Sequence, residues 1–243
     1  KCKKVLGLTG TLSSYTEETL GLELGLPVLA TYSISQAIEE GVITDYEITV
    51  VGVALDNKTK LNYKGKIKTE KQQFDSYGWV IDQQERKGQN TMFLRLARMR
   101  VIQNSIAKME KTRALLAKHK EERVLVFCGL THIADQLGIP VYHSKAGEKD
   151  VFNKFASGEG NHLAVVKIGN TGVTYKPLNR VIINYFDSNA ENLAQKINRC
   201  MAMEYNTPDK KAYIYIVCSV EEVERKWLKK ALEFFDKSKI KYV

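Results

Sequence analysis

The residues best suited to chemistry fall in four short stretches, most of them following an apolar run. Near the start, Thr9-Gly10-Thr11 sets two hydroxyls around a glycine that permits a tight turn. Most such turns are only turns. Further on, Val124-Leu125-Val126-Phe127-Cys128 delivers Gly129 and Thr131, and Pro140–His143 delivers Ser144 and Lys145. Backbone N–H groups and small hydroxyls at such positions hold phosphate oxygens without reading bases. His143 reads as a packing or hydrogen-bonding residue rather than a catalyst. The third stretch, Gly169-Asn170-Thr171-Gly172-Val173-Thr174, follows Val165–Ile168. Gly172 and Gly169 allow close approach of an anion, and Asn170, Thr171 and Thr174 offer side-chain hydrogen bonds. A tight structural turn is the competing reading. The fourth is Gln195-Lys196-Ile197-Asn198-Arg199. On a helix, Gln195, Arg199 and Ala202 share one face. An arginine there could neutralise charge developing on a phosphoryl group. The ordinary alternative is a surface arginine on an amphipathic helix.

The elements that must position these residues are legible in the hydropathy pattern. From Arg123 onward the chain alternates short apolar strands with helices. Strands are expected at Val124–Cys128, Pro140–His143, Leu163–Ile168, Val181–Tyr185 and Ala212–Cys218, and helices at Thr131–Leu137, Ala146–Ala156, Glu191–Met203 and Val220–Phe235. Such alternation predicts an α/β fold, a parallel sheet with helices on both faces. Right-handed crossovers then predict that the functional loops gather at the carboxyl edge. Upstream, Val5–Leu8 and Tyr46–Leu55 read as strands. Ser33 and Gln36 form a capping box for a helix that stops at Gly41. One long helix is expected from about Thr91 to His119, with Leu96, Met99, Ile102, Ile106, Met109 and Leu116 as its core stripe.

Charge is concentrated between the two halves. The 243 residues carry a net +9, and residues 57–123 hold 17 Lys/Arg against 7 Asp/Glu, a surplus that exceeds the whole. Within this span, 57–90 reads as an exposed basic hairpin or loop in which Lys58, Lys60, Lys64, Lys66 and Lys68 nearly alternate. Such a block attracts phosphate backbones by counterion release; a solvated face is the alternative. Lys64, Lys66 and Lys68 are the candidate contacts. The four cysteines are widely spaced and give no metal or disulfide pattern. No apolar run reaches membrane-spanning length. A cytoplasmic setting, in a bacterial or phage-infected cell, is the expectation.

Taken in order, these stretches resemble the carboxyl-terminal motif series of superfamily 2 helicases. Leu8-Thr9-Gly10-Thr11 is similar to motif III, Val124–Gly129 to motif IV, Lys167–Thr174 to motif V and Gln195–Ala202 to motif VI. Thr31–Ile43 resembles the lobe-crossing segment of the restriction-enzyme and repair-helicase branch, with a phage flavour, and Phe155-Ala156-Ser157-Gly158-Glu159 resembles the family's Phe-x-x-Gly stretch. The resemblance implies a RecA-like second lobe over 31–243 with the basic arm at 57–90. Residues 1–30 would be the tail of the first lobe. It implies ATP and Mg2+ bound in the intact parent between two lobes, and single-stranded nucleic acid, DNA rather than RNA, as partner. It assigns Thr9 and Thr11 to coupling, Gly129, Thr131, Ser144, Lys145, Asn170 and Thr171 to the strand, and Gly172, Thr174, Gln195 and Arg199 to ATP. Among these, Gln195 and Arg199 would be catalytic.

The sequence departs from that pattern in four ways. No G-x-x-x-x-G-K-[ST] loop is present, and no Asp-Glu box precedes Thr9. The chain alone is therefore expected to be inactive, with the missing first lobe as its partner. Ala202 stands where the family has a second arginine, and Thr174 where it has an acid. Arg199 would then act alone or with a substitute such as Lys196. Alternatively, the parent is a non-hydrolysing module that grips nucleic acid. An unrelated doubly wound domain using its basic segment for protein contacts is the third reading.

Overall fold

The computed structural model describes residues 14–63, 65–143, 149–166, 175, 178–202 and 210–243. The expected strand Val5–Leu8 lies outside them. Seven strands form one sheet: β1 (Asp45–Val53), β4 (Val124–Cys128), β5 (Val141–Tyr142), β6 (His162–Val166), β7 (Arg180–Ile183), β8 (Lys211–Ser219) and β9 (Ile240–Tyr242). Their order across the sheet is β5-β6-β4-β7-β8-β1-β9, and every pairing is parallel. Parallel strands must be covered on both faces, which is why β4 and β7 are buried at every position.

Alternate residues of the central strands serve two cores. Leu125, Phe127, Val181, Ile183, Ile214 and Ile216 face one side, where α8 (Ala190–Asn198) and α9 (Glu222–Ala231) contribute Leu193, Ile197 and Leu228. Val124, Val126, Cys128 and Ile182 face the other. There α5 (Ile106–Lys118) and α6 (Thr131–Asp135) supply Met109, Leu116 and Ile133. The helix α7 (Lys149–Ser157) runs between β5 and β6. This is the α/β sandwich that the alternation predicts.

The amino-terminal side carries α1 (Ser14–Leu24), none of whose described side chains is buried, and α2 (Ile34–Glu39). Ser33 and Gln36 do form a capping box, and Gly41 takes φ 68°, as expected of a residue closing a helix.

Residues 57–103 differ from expectation. Of the two forms expected for the arm the hairpin holds, β2 (Leu61–Tyr63) pairing antiparallel with β3 (Lys66–Lys68), but it leads into an unexpected helix, α3 (Glu70–Glu85). Thr69 and Gln72 cap α3 with the same reciprocal pair that opens α2. The long helix from Thr91 to His119 is two helices, α4 (Met92–Gln103) and α5. The break is chemical. Buried Glu70 accepts from the Ile106 N–H at 2.6 Å and from Ser105 Oγ at 3.1 Å, and Ser105 caps α5 through the Lys108 N–H. A carboxylate that must be satisfied at this point draws the backbone out of the helix. The closing helix is also shorter than expected: after α9 come two 3-10 turns and the edge strand β9.

Candidate phosphate and nucleic-acid site

β4 ends at the carboxyl edge of the sheet and hands the chain to Gly129 and then to Thr131, the half-buried first residue of α6. Gly129 has a packing reason independent of any ligand. A Cβ there would lie 2.5 Å from Cγ and Cδ2 of Tyr185. The tyrosine is fixed because its N–H and that of Asn184 both donate to the Phe127 carbonyl, at 3.3 and 3.0 Å. Its own carbonyl accepts from Lys196 Nζ at 2.9 Å.

Lys196 is buried, and its ammonium lies over the rings of Tyr185 and Phe127. Burial pulls its pKa down to about 8, partly opposed by the negative charge of Asp187. This side chain is committed to the interior, so it does not substitute for an arginine facing a nucleotide. Beneath the same edge lies a second polar cluster, which has no local signature in the sequence. Lys108 Nζ bonds both oxygens of Glu224 at 2.7 and 3.0 Å, and Glu224 Oε2 accepts the Ser219 N–H at 2.6 Å. Asn184 Nδ2 donates to Thr112 Oγ1 at 2.9 Å. These groups tie α5, the ends of β7 and β8, and α9 together where the strands stop.

The motif VI residues sit elsewhere. Gln195 is exposed and Arg199 half-buried, but α8 ends at Asn198 and Arg199 is its C-cap. Ala202 is past the helix, in an antiparallel bridge with Ile43, so the expected single face holding Gln195, Arg199 and Ala202 does not exist. The neighbouring Met201 carbonyl accepts the N–H of Thr44, the residue before β1. Arg199 therefore lies at the amino edge of the sheet, opposite Gly129 and Thr131. Strands of about five residues at roughly 3.3 Å each put some 15 Å between the two edges. The expectation that all functional loops share the carboxyl edge is thus corrected. The cause is that α8 runs antiparallel to the strands and delivers its last residue to their far end. At that end Arg199 faces Tyr175, whose hydroxyl is pushed up to about 12 by burial and eased back by the guanidinium. Tyr175 itself packs edge-on against Phe152 and Phe155 of α7.

The other expected contacts divide as follows. Thr9, Thr11, Lys64, Ser144, Lys145, Asn170, Thr171, Gly172 and Thr174 lie outside the described residues. Lys66 is exposed, whereas Lys68 is half-buried and donates to Ser76 Oγ of α3 at 2.7 Å. His143 is buried, with Nε2 3.7 Å from the Asp135 carboxylate, in keeping with a packing role.

Residues 107–203, from the start of α5 to just past α8, match the family model of the helicase conserved C-terminal domain. Residues 107–203 therefore carry a helicase C-terminal domain. No curated protein matches the chain in sequence. The matched span encloses Gly129, Thr131, Gln195 and Arg199, while the β2–β3 hairpin, α3 and α4 lie outside it. Helicase lobes of this kind bind nucleic acid and pair with a partner lobe. Among the described residues no helix is long and apolar enough to cross a membrane.

Proposed function

We propose that this lobe is the second half of an ATP-dependent nucleic-acid helicase or translocase of the restriction-enzyme and repair-helicase branch. In this reading it supplies one wall of an ATP site and part of a single-strand track. The observation that carries the reading is the domain match over residues 107–203, with Arg199 inside it at the end of α8. ATP would supply the phosphoryl group, held chiefly by a first lobe with the phosphate-binding loop that this sequence lacks. The Mg2+ ligands would come from that other lobe's Asp-Glu box, which the resemblance implies and which does not precede Thr9 here. This chain's part is a guanidinium at Arg199 and an exposed amide at Gln195, both suited to phosphate oxygens. The resemblance also assigns Gly172 and Thr174, outside the described residues, to ATP. The strand would run past Gly129 and Thr131 at the carboxyl edge, with Ser144, Lys145, Asn170 and Thr171 assigned to it by the resemblance alone, gripped by its backbone, DNA being favoured over RNA.

The test is strand-stimulated ATP hydrolysis by the lobe joined to its phosphate-binding partner, wild type against Arg199→Ala. Hydrolysis that falls by about 10³-fold or more in the variant supports the reading. A joined protein that turns over no ATP with any DNA or RNA overturns it. A second reading is favoured by Ala202, whose backbone is committed to the bridge with Ile43 and whose methyl carries no charge. It is a module that grips nucleic acid without hydrolysis. Strand binding with no turnover would select it.

A further inference from the structure

The helical hairpin α3–α4 interrupts the sheet between β1 and β4 and carries an unusual surface. Its base is rigid. Glu70, at the first turn of α3, accepts from the Asp56 N–H, Ser105 Oγ and the Ile106 N–H, joining the chain's entry to its exit. A small core of Leu55, Phe74, Val101 and Ile102 fills the space between the helices. The two helices run side by side with Arg98 against Gly78, and Arg95 with Glu85. The stripe expected to be core is only partly so: Leu96 is exposed, as are Met92 (60%) and Phe93 (82%), and Trp79 of α3 is 66% exposed. Ile67 on the adjoining β3 is 71% exposed.

Around these apolar groups cations outnumber acids. Residues 57–103 hold 11 Lys/Arg and 4 Asp/Glu: Glu70 is buried in the base, exposed Asp75 and Glu85 are bridged to Lys71 and Arg95, and Asp82 is exposed on α3. Arg86 and Lys87 at the hairpin tip, Arg100 on α4 and Lys66 on β3 are all exposed. Large flat side chains set among exposed cations suit unpaired bases threaded between phosphates. An aromatic face takes the base and the cations take the backbone.

We propose that the α3–α4 hairpin is a base-stacking platform for single-stranded nucleic acid, with Phe93 and Trp79 as the stacking side chains. The proposal deepens the helicase reading, on which its biological sense rests, but its test does not depend on ATP. The hairpin lies outside the matched helicase domain, so it would add a contact of its own beside the strand track at the carboxyl edge.

The experiment titrates the 243-residue chain against a fluorescein-labelled oligothymidylate, read by anisotropy, for wild type, Trp79→Ala and Phe93→Ala. Stacking on one base contributes about 1–3 kcal/mol, so each variant should bind roughly 5- to 150-fold more weakly. The salt dependence should keep its slope, because neither substitution removes a charge. Circular dichroism checks that both variants fold. In a Trp227→Phe chain, emission comes from Trp79 alone, since the sequence has two tryptophans, and the oligonucleotide should quench it. Affinities within twofold of wild type, or unchanged Trp79 emission, overturn the proposal. So does a wild-type chain that sediments as a dimer while Phe93→Ala sediments as a monomer with the same strand affinity. The face would then belong to a second copy. If the joined protein hydrolyses ATP normally while these variants bind like wild type, only this proposal falls.

Discussion

Replacing Glu224 by Gln should unfold this lobe more readily than any surface substitution, and the cost follows from the geometry. The Lys108 and Glu224 side chains are 3% and 2% exposed, and both carboxylate oxygens engage the ammonium. One of them also satisfies the buried Ser219 N–H. Gln keeps the shape and one acceptor but leaves the ammonium without its counter-charge in a dry interior. Breaking a buried pair in this way costs about 3–5 kcal/mol. For a domain of roughly this size, 1 kcal/mol moves Tm by about 2–4 °C, so Glu224→Gln should melt roughly 6–20 °C lower. The assay is urea and thermal unfolding followed by circular dichroism. It includes Lys108→Met and the double variant Lys108→Met/Glu224→Leu. The double variant should regain much of the loss, because desolvating two charges offsets most of their attraction, although the Ser219 N–H stays unsatisfied. If Glu224→Gln costs less than about 1 kcal/mol, water reaches the pair and it does not act as a buried ion pair.

Other perturbations separate the remaining claims. Gly129→Ala forces a methyl onto Tyr185 at 2.5 Å, so it should destabilise by about 1–3 kcal/mol, and Tyr185→Ser in the same chain should recover part of that. Equal stability of Gly129→Ala and wild type in urea would show that the ring moves aside freely. Lys196, at about 8 in the folded state against 10.5 ordinarily, binds its proton less well folded than unfolded. Its burial therefore costs stability below pH 8, and that cost, up to about 3 kcal/mol, fades as pH rises from 8 to 10.5. The stability difference between Lys196→Met and wild type should shrink over that window; a constant difference refutes the shifted pKa. In the basic arm, Lys66→Ala should reduce the salt slope of single-strand binding by about 0.7, and Lys68→Ala by less, because Lys68 is already bonded to Ser76. Equal slopes for wild type and Lys66→Ala would show that the arm is only solvated.

The sequence determined the architecture wherever a local pattern carried the information. The run Val124–Cys128 has to be a central strand, because five apolar residues in a row suit a position covered on both faces. Ser33-x-x-Gln36 has to open a helix, since two orphan backbone donors find side-chain acceptors within one turn. The same rule was available at Thr69-x-x-Gln72 and predicts α3, which the alternation of lysines obscured. Motif order, too, is a property of the chain alone. What only the tertiary structure decided concerns partners distant in sequence. Glu70 splits the expected long helix by bonding Ser105 and Ile106, 35 and 36 residues away. Glu224 meets Lys108 across 116 residues. Tyr185, not a ligand, supplies the steric reason for Gly129. Arg199 and Gly129 lie at opposite edges because a helix antiparallel to the strands carries its end to the far side. Hydropathy period and capping act over one or two turns. Buried charges, ring contacts and sheet edges are set by which elements meet, and that is fixed only when the chain closes on itself.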